Sequence, residues 1–184
     1  MKKIILTVIG PDKPGIIASV SDILFKHGCN IENISQTILQ SEFAGICVVS
    51  IPETLTIDVL QKAMSDALDP LNLHVHISHL GEESSSSANI GTEPFIISTC
   101  GPDQKGLVAH VSKIIADFGV NISYLKAVFE GGSNPDRNIM IFEVDIPLNV
   151  DLTAFSNALK QKAGTLNLDL TVQHKNIFDA VNRI

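Results

Sequence analysis

Gly10-Pro11-Asp12-Lys13-Pro14-Gly15-Ile16-Ile17-Ala18 returns 91 residues later as Gly101-Pro102-Asp103-Gln104-Lys105-Gly106-Leu107-Val108-Ala109. The same offset aligns Gly28-Cys29-Asn30-Ile31 with Gly119-Val120-Asn121-Ile122. Further on the offset becomes 95, pairing Ile51-Pro52 with Ile146-Pro147 and Leu71-Asn72-Leu73 with Leu166-Asn167-Leu168. Several anchors in register are the signature of an internal duplication. The four extra residues fall naturally in the turn Gly131-Gly132-Ser133-Asn134-Pro135-Asp136-Arg137, so residues 131–138 are expected to form a mobile hairpin tip.

Within each copy the hydrophobic period switches in a fixed order. Ile4 to Ile9 is a short apolar run stopped by Gly-Pro, which predicts a buried strand. Ile16, Ile17, Val20, Ile23 and Leu24 recur at three- and four-residue steps until Gly28, which predicts a helix with Asp12 near its start and Pro14 in its first turn. Asn30 to Leu39 alternates loosely and Phe43 to Ile51 is denser in apolar residues, a hairpin with an edge-like first arm and a buried second arm. Leu55 to Leu68 carries a second helical stripe and Leu73 to Leu80 a last strand. The unit is therefore β-α-β-β-α-β, and the fold class is α+β. Two ferredoxin-like units stand in tandem, each an antiparallel four-stranded sheet with its helices on one face. The boundaries follow: residues 1–80 and 92–174 are the domains, 81–91 a Ser-rich linker and 175–184 a C-terminal tail. The bare sheet face and the second-strand edge need partners, so the two copies are expected to pack together and the chain to form a homodimer.

Composition narrows the function classes. A chain of 184 residues that is 45% hydrophobic can fill packed cores. Its formal charge is -7 and its only arginines are Arg137 and Arg183, which argues against direct nucleic-acid binding. No run of apolar residues reaches membrane length, and the opening segment breaks at Gly10-Pro11 before it resembles a signal peptide. Cys29, Cys47 and Cys100 form no paired motif and read as reduced thiols of a cytoplasmic protein.

The repeated turn joins a buried strand to a helix N-terminus, where unpaired N–H groups favour a small anion such as a carboxylate. It lacks the spacings of nucleotide-binding loops. Tight-turn chemistry alone would also account for its glycines and proline, and helix capping would account for Asp12 and Asp103. His74 and His76 share one strand face while His79 points away, so the three do not converge on a metal ion. No nucleophile-base pattern accompanies the cysteines or Ser84 to Ser87, and no cofactor motif is present, so the chain is not expected to be an enzyme.

The order of elements, the D-x-P-G turn and the G-x-N-I at the second strand resemble the ACT domain, a small-molecule-binding regulatory module, over both repeats. Two such domains with nothing else are similar to the glycine cleavage system transcriptional repressor group. The opening also resembles the regulatory domain of formyltetrahydrofolate deformylases, whose catalytic domain this chain has no room for. The resemblance implies an amino-acid ligand, such as glycine, held between two domains by Asp12, Gly15 and Asn30 in the first copy and by Asp103, Gly106 and Asn121 in the second. Lys105 stands where the first copy has Pro14, so the two sites need not be equivalent. The resemblance further implies control of transcription, and the acidic, arginine-poor composition adds that this control would be indirect, through a protein partner such as a transcriptional activator. A small metal-dependent or hydrolytic enzyme and a purely structural interaction module are the alternatives.

Overall fold

The structure, a computed structural model, describes residues 2–81, 91–129 and 137–181. Backbone contacts divide the chain into two compact units, residues 1–84 and 85–184.

In the first unit β1 (Lys2–Pro11), α1 (Ile16–Lys26), β2 (Asn30–Leu39), β3 (Glu42–Ile51), α2 (Ile57–Leu68) and β4 (His74–His79) form a sheet of order β2-β3-β1-β4. All neighbouring strands are antiparallel, so the two apolar strands are central and β2 and β4 are the edges. Pleating divides each strand between two faces. Ile4, Leu6 and Val8 turn inward with Phe43, Cys47, Val49 and Ile51, and meet Ile16, Val20 and Leu24 of α1 and Leu60, Met64 and Leu68 of α2. The other face carries Ile5, Thr7, Ile9, Ala44, Ile46 and Val48, and Ile9 and Ile46 remain 54% and 46% exposed. His74 and His76 lie on this bare face beside Ile9 and Thr7, whereas His79 pairs with Ile4 on the helix side. Among the described residues no group of His, Cys, Asp or Glu is arranged to hold a metal ion, and none of the helices is long and apolar enough to cross a membrane.

The second unit repeats the plan. β5 (Thr92–Gly101), α3 (Leu107–Asp117), β6 (Asn121–Val128), β7 (Asn138–Pro147), α4 (Leu152–Thr165) and β8 (Asp169–His174) give the order β6-β7-β5-β8. Its core joins Ile97, Phe142 and Val144 to Leu107, Val111, Ile115, Phe155 and Leu159. Asp151 caps α4, its Oδ1 accepting from the N–H groups of Thr153 at 2.8 Å and Ala154 at 3.0 Å; Thr56 caps α2 by accepting from Val59 N–H.

Two local expectations are corrected. Neither α1 nor α3 is capped by its aspartate: the N-cap residues are Gly15 and Gly106, both left-handed and without a side-chain cap. A left-handed residue cannot lie inside a right-handed helix, so Pro14 precedes the helix rather than sitting in its first turn. Residues 175–181 form a short helix, α5 (Lys175–Val181), within the expected tail. Lys175 pairs with Glu143 of β7, and Ile96 nearby is 3% exposed, so α5 covers part of the second unit's own sheet face whose counterpart is bare in the first. The Ser-rich linker, apart from Gly81 and Gly91, and the insertion, apart from Arg137 and the buried Asn138, lie outside the described residues.

Candidate functional site

At the end of β1 the chain must turn against the segment that links α2 to β4. A Cβ at Gly10 would lie 2.4 Å from the Asn72 carbonyl oxygen, and one at Gly101 would lie 2.7 Å from that of Asn167. The first glycine of each turn is thus required by close backbone approach. The fourth residue of each turn ties down the carbonyl one residue earlier in that segment: Lys13 Nζ donates to Leu71 O at 3.3 Å, and Gln104 Nε2 donates to Leu166 O at 2.5 Å. Asp12 N–H donates to Ser41 O at 2.8 Å, which fastens the turn to the β2–β3 hairpin and leaves the carboxylate exposed.

The last glycine of each turn is required for a different reason. Gly15 has φ +95° and Gly106 φ +86°, conformations that favour glycine. A Cβ at Gly15 would meet nothing within 4 Å, so the helix start faces open space. Gly15 O accepts the first helical bond from Ser19 N–H at 2.9 Å, and the preceding N–H groups have no partner within the helix. In front of them is a cavity of about 290 Å³ lined by Asp12, Lys13, Gly15, Ile17, Gln36 and Phe43, among others. The Phe43 ring reaches this place by lying across Gly45, where a Cβ would come within 2.9 Å of Cζ.

The second turn differs in its surroundings. A Cβ at Gly106 would stand 3.6 Å from the His110 ring, whose counterpart in the first copy is Ser19. Strand register places Asn138 and Met140 where the first copy has Phe43 and Gly45, so a buried amide replaces the aromatic floor. Gln36, Phe43 and His110 escape sequence reasoning because nothing in their local pattern marks them. Only the strand register and the helical step of four bring them to the turns.

Asn30 and Asn121 open β2 and β6 and are exposed. Asn30 pairs with Ser50, whose Oγ donates to Asn30 O at 3.4 Å, while the end of β1 pairs with Glu42. Eight residue steps along β3 separate those two rungs, on the order of 25 Å at the rise of a strand. Asp12 and Gly15 therefore share one end of the sheet and Asn30 sits at the other, and the second unit has the same arrangement. Within one unit, therefore, the turn residues and the asparagine expected to share a ligand do not come together.

Burial raises the thiol pKa of Cys29 and of Cys47, which favours the protonated, less reactive form, and all three cysteines are free.

Comparison with known proteins agrees with this architecture. A family model described as the ACT domain matches residues 2–78. A UPF0237 protein of Methanopyrus kandleri is 38% identical over 80 residues, which span 43% of this chain and 89% of that protein. One from Streptococcus mutans is 37% identical over 75 residues, 41% of this chain and 85% of its own length. Among solved structures, a protein of unknown role from Galdieria sulphuraria superposes with a TM-score of 0.76 at 22% identity, covering 94% of this chain and 98% of its own. A candidate glycine cleavage system transcriptional repressor gives 0.70 at 14% identity over 94% and 96% of the two chains. At these identities the likeness to the two structures is one of fold.

Proposed function

This chain belongs to the ACT-domain family, and from that premise we propose that it is a non-enzymatic regulatory protein that binds a small amino acid and signals to a protein partner. The observation that carries the reading is the open helix start at Gly15, with its cavity of about 290 Å³ and Asp12 on the rim. Unpartnered N–H groups at a helix start suit a carboxylate, and an aspartate carboxylate suits an ammonium. An asparagine amide serves either group. Because Asn30 stands at the far end of the sheet, a complete site takes its turn from one copy of the chain and its asparagine from a second copy. β1 and β2 run parallel, so the β2 edges of two copies of the chain, set antiparallel about a two-fold axis, would bring the turn of one copy to the asparagine of the other. The exposed β2 edge and the wet Ile9 and Ile46 favour such pairing and a homodimer.

The resemblance to the glycine cleavage repressor group points to glycine as ligand and to transcription as the output. With charge -7 and two arginines, that control runs through a protein such as an activator rather than through DNA contact. Three free cysteines fit a reducing, cytoplasmic setting. A thermal-shift screen of the twenty amino acids tests the reading. A ligand at 100 times its dissociation constant stabilises by about 2.7 kcal/mol. One or a few amino acids should raise Tm, and a flat response would favour a structural tandem without ligand.

A further inference from the structure

The helix-covered face of the first sheet opens, at the end away from the turn, into a cavity of about 540 Å³. Ile51, Leu55, Ile57 and Ile77 line it with His79, and Lys2, Thr56, Asp58 and Ser78 complete the lining. The corresponding place in the second unit holds only about 50 Å³, bounded by Glu93, Phe95, Ile146, Val150 and Leu152 among others. By the repeat offsets four lining positions are shared, Lys2 with Glu93, Ile51 with Ile146, Leu55 with Val150 and Ile57 with Leu152; Phe95 also lines the smaller space, whereas its counterpart Ile4 is fully buried and not part of the larger one's lining. In the second unit the Phe95 ring stands edge-on to His174, centroids 5.1 Å apart at 72°. His174 is the counterpart of His79, and register confirms it, since Ile4 pairs with His79 as Phe95 pairs with His174.

The molecule thus shows what this place accommodates: a six-membered aromatic ring against an imidazole, among branched aliphatic side chains. In the first unit isoleucine is too short to supply that ring, and the cavity is of ligand size. Where it is open, a lysine takes the place of a glutamate in its lining. Lys2 is half-exposed, with Glu53 as its nearest carboxylate at 3.8 Å, so its ammonium is accessible to a ligand. We propose that the first unit binds a small aromatic carboxylate here, its ring packed against His79 and its carboxylate meeting Lys2. This site is separate from the amino-acid site at the turn. Asp58 in the lining would further favour a molecule that also bears an ammonium, which makes aromatic acids and aromatic amino acids the two sources of the same chemistry.

The test is ligand-observed saturation-transfer NMR on the full chain with phenylacetate, indole-3-acetate and phenylalanine. At least one should receive saturation from the protein. Ile4→Phe, which copies the second unit's own filling, should abolish that transfer in protein shown to be folded by circular dichroism. Lys2→Glu, an exposed change that leaves the core intact, should weaken binding about tenfold or more, the scale of one charge-assisted contact. Gly15→Ala should leave it unchanged, which separates this site from the turn. Phenylalanine bound in preference to the two acids assigns the amino-acid source, and the reverse assigns the aromatic acids. No transfer for any of the three, or binding that survives both Ile4→Phe and Lys2→Glu, overturns the proposal.

Discussion

Gly10→Ala and Gly15→Ala, five residues apart in the same turn, should behave in opposite ways. At Gly10 the new Cβ would lie 2.4 Å from the Asn72 oxygen and 3.1 Å from the Leu73 Cα. Both are backbone atoms, so relief means moving the α2–β4 connection against β1, and overpacking of this kind costs about 3 kcal/mol. At Gly15 the Cβ would meet no atom within 4 Å, and the cost is only that of holding alanine at φ +95°. A left-handed L residue costs about 1–2 kcal/mol. For a unit of this size each kcal/mol is worth roughly 4–8 °C in Tm. Differential scanning calorimetry with and without the amino acid found by screening reads both quantities. Gly15→Ala should lower Tm by roughly 5–15 °C while removing most of the ligand-induced shift, because its methyl group projects into the space before the helix start. Gly10→Ala should lower Tm further. Equal losses from the two substitutions, or a ligand shift that survives Gly15→Ala intact, would refute the assignment of Gly15 to a ligand-facing position and Gly10 to a packing one.

Asn30→Ala and Asn121→Ala should weaken amino-acid binding by about 1–3 kcal/mol in titration calorimetry with little change in Tm, since each side chain is exposed. If Tm falls and the ligand response stays, the asparagines serve only the backbone where the chain enters the strand. Thr37→Pro, which breaks the β2 edge, should shift sedimentation from dimer toward monomer, and a wild-type chain sedimenting only at 19.8 kDa would contradict the pairing. Phe155→Ala, which empties a fully buried position of α4 against Phe118, should cost about 3–5 kcal/mol in urea unfolding of the second unit.

The strands and helices were legible because their apolar periods are short, dense and written twice, so that each copy corroborates the other. The central place of β1 and β3 followed from topology together with their apolar content. What sequence could not show depends on tertiary placement. Phe43 looks like one more core residue until its ring is seen lying across Gly45 beside the Gly15 turn. Asp12 invites a capping role by position, yet the left-handed Gly15 takes the N-cap instead. Seven-residue α5 has no stability of its own and owes its existence to contacts such as Lys175 with Glu143. The exchange of Ile4 for Phe95 is visible in the repeat, but not that Phe95 lines a space of about 50 Å³ where the first unit has a cavity of about 540 Å³.

The central claim is that one amino acid engages both half-sites, although they lie at opposite ends of a sheet. Amide-detected NMR titration of the full chain with that amino acid tests it most directly. The Gly15–Ala18 backbone amides and the Asn30 side-chain amide, or their counterparts Gly106–Ala109 and Asn121, should shift along a single saturation curve. Movement of the turn alone, with the asparagine signals unchanged at saturation, would contradict the account.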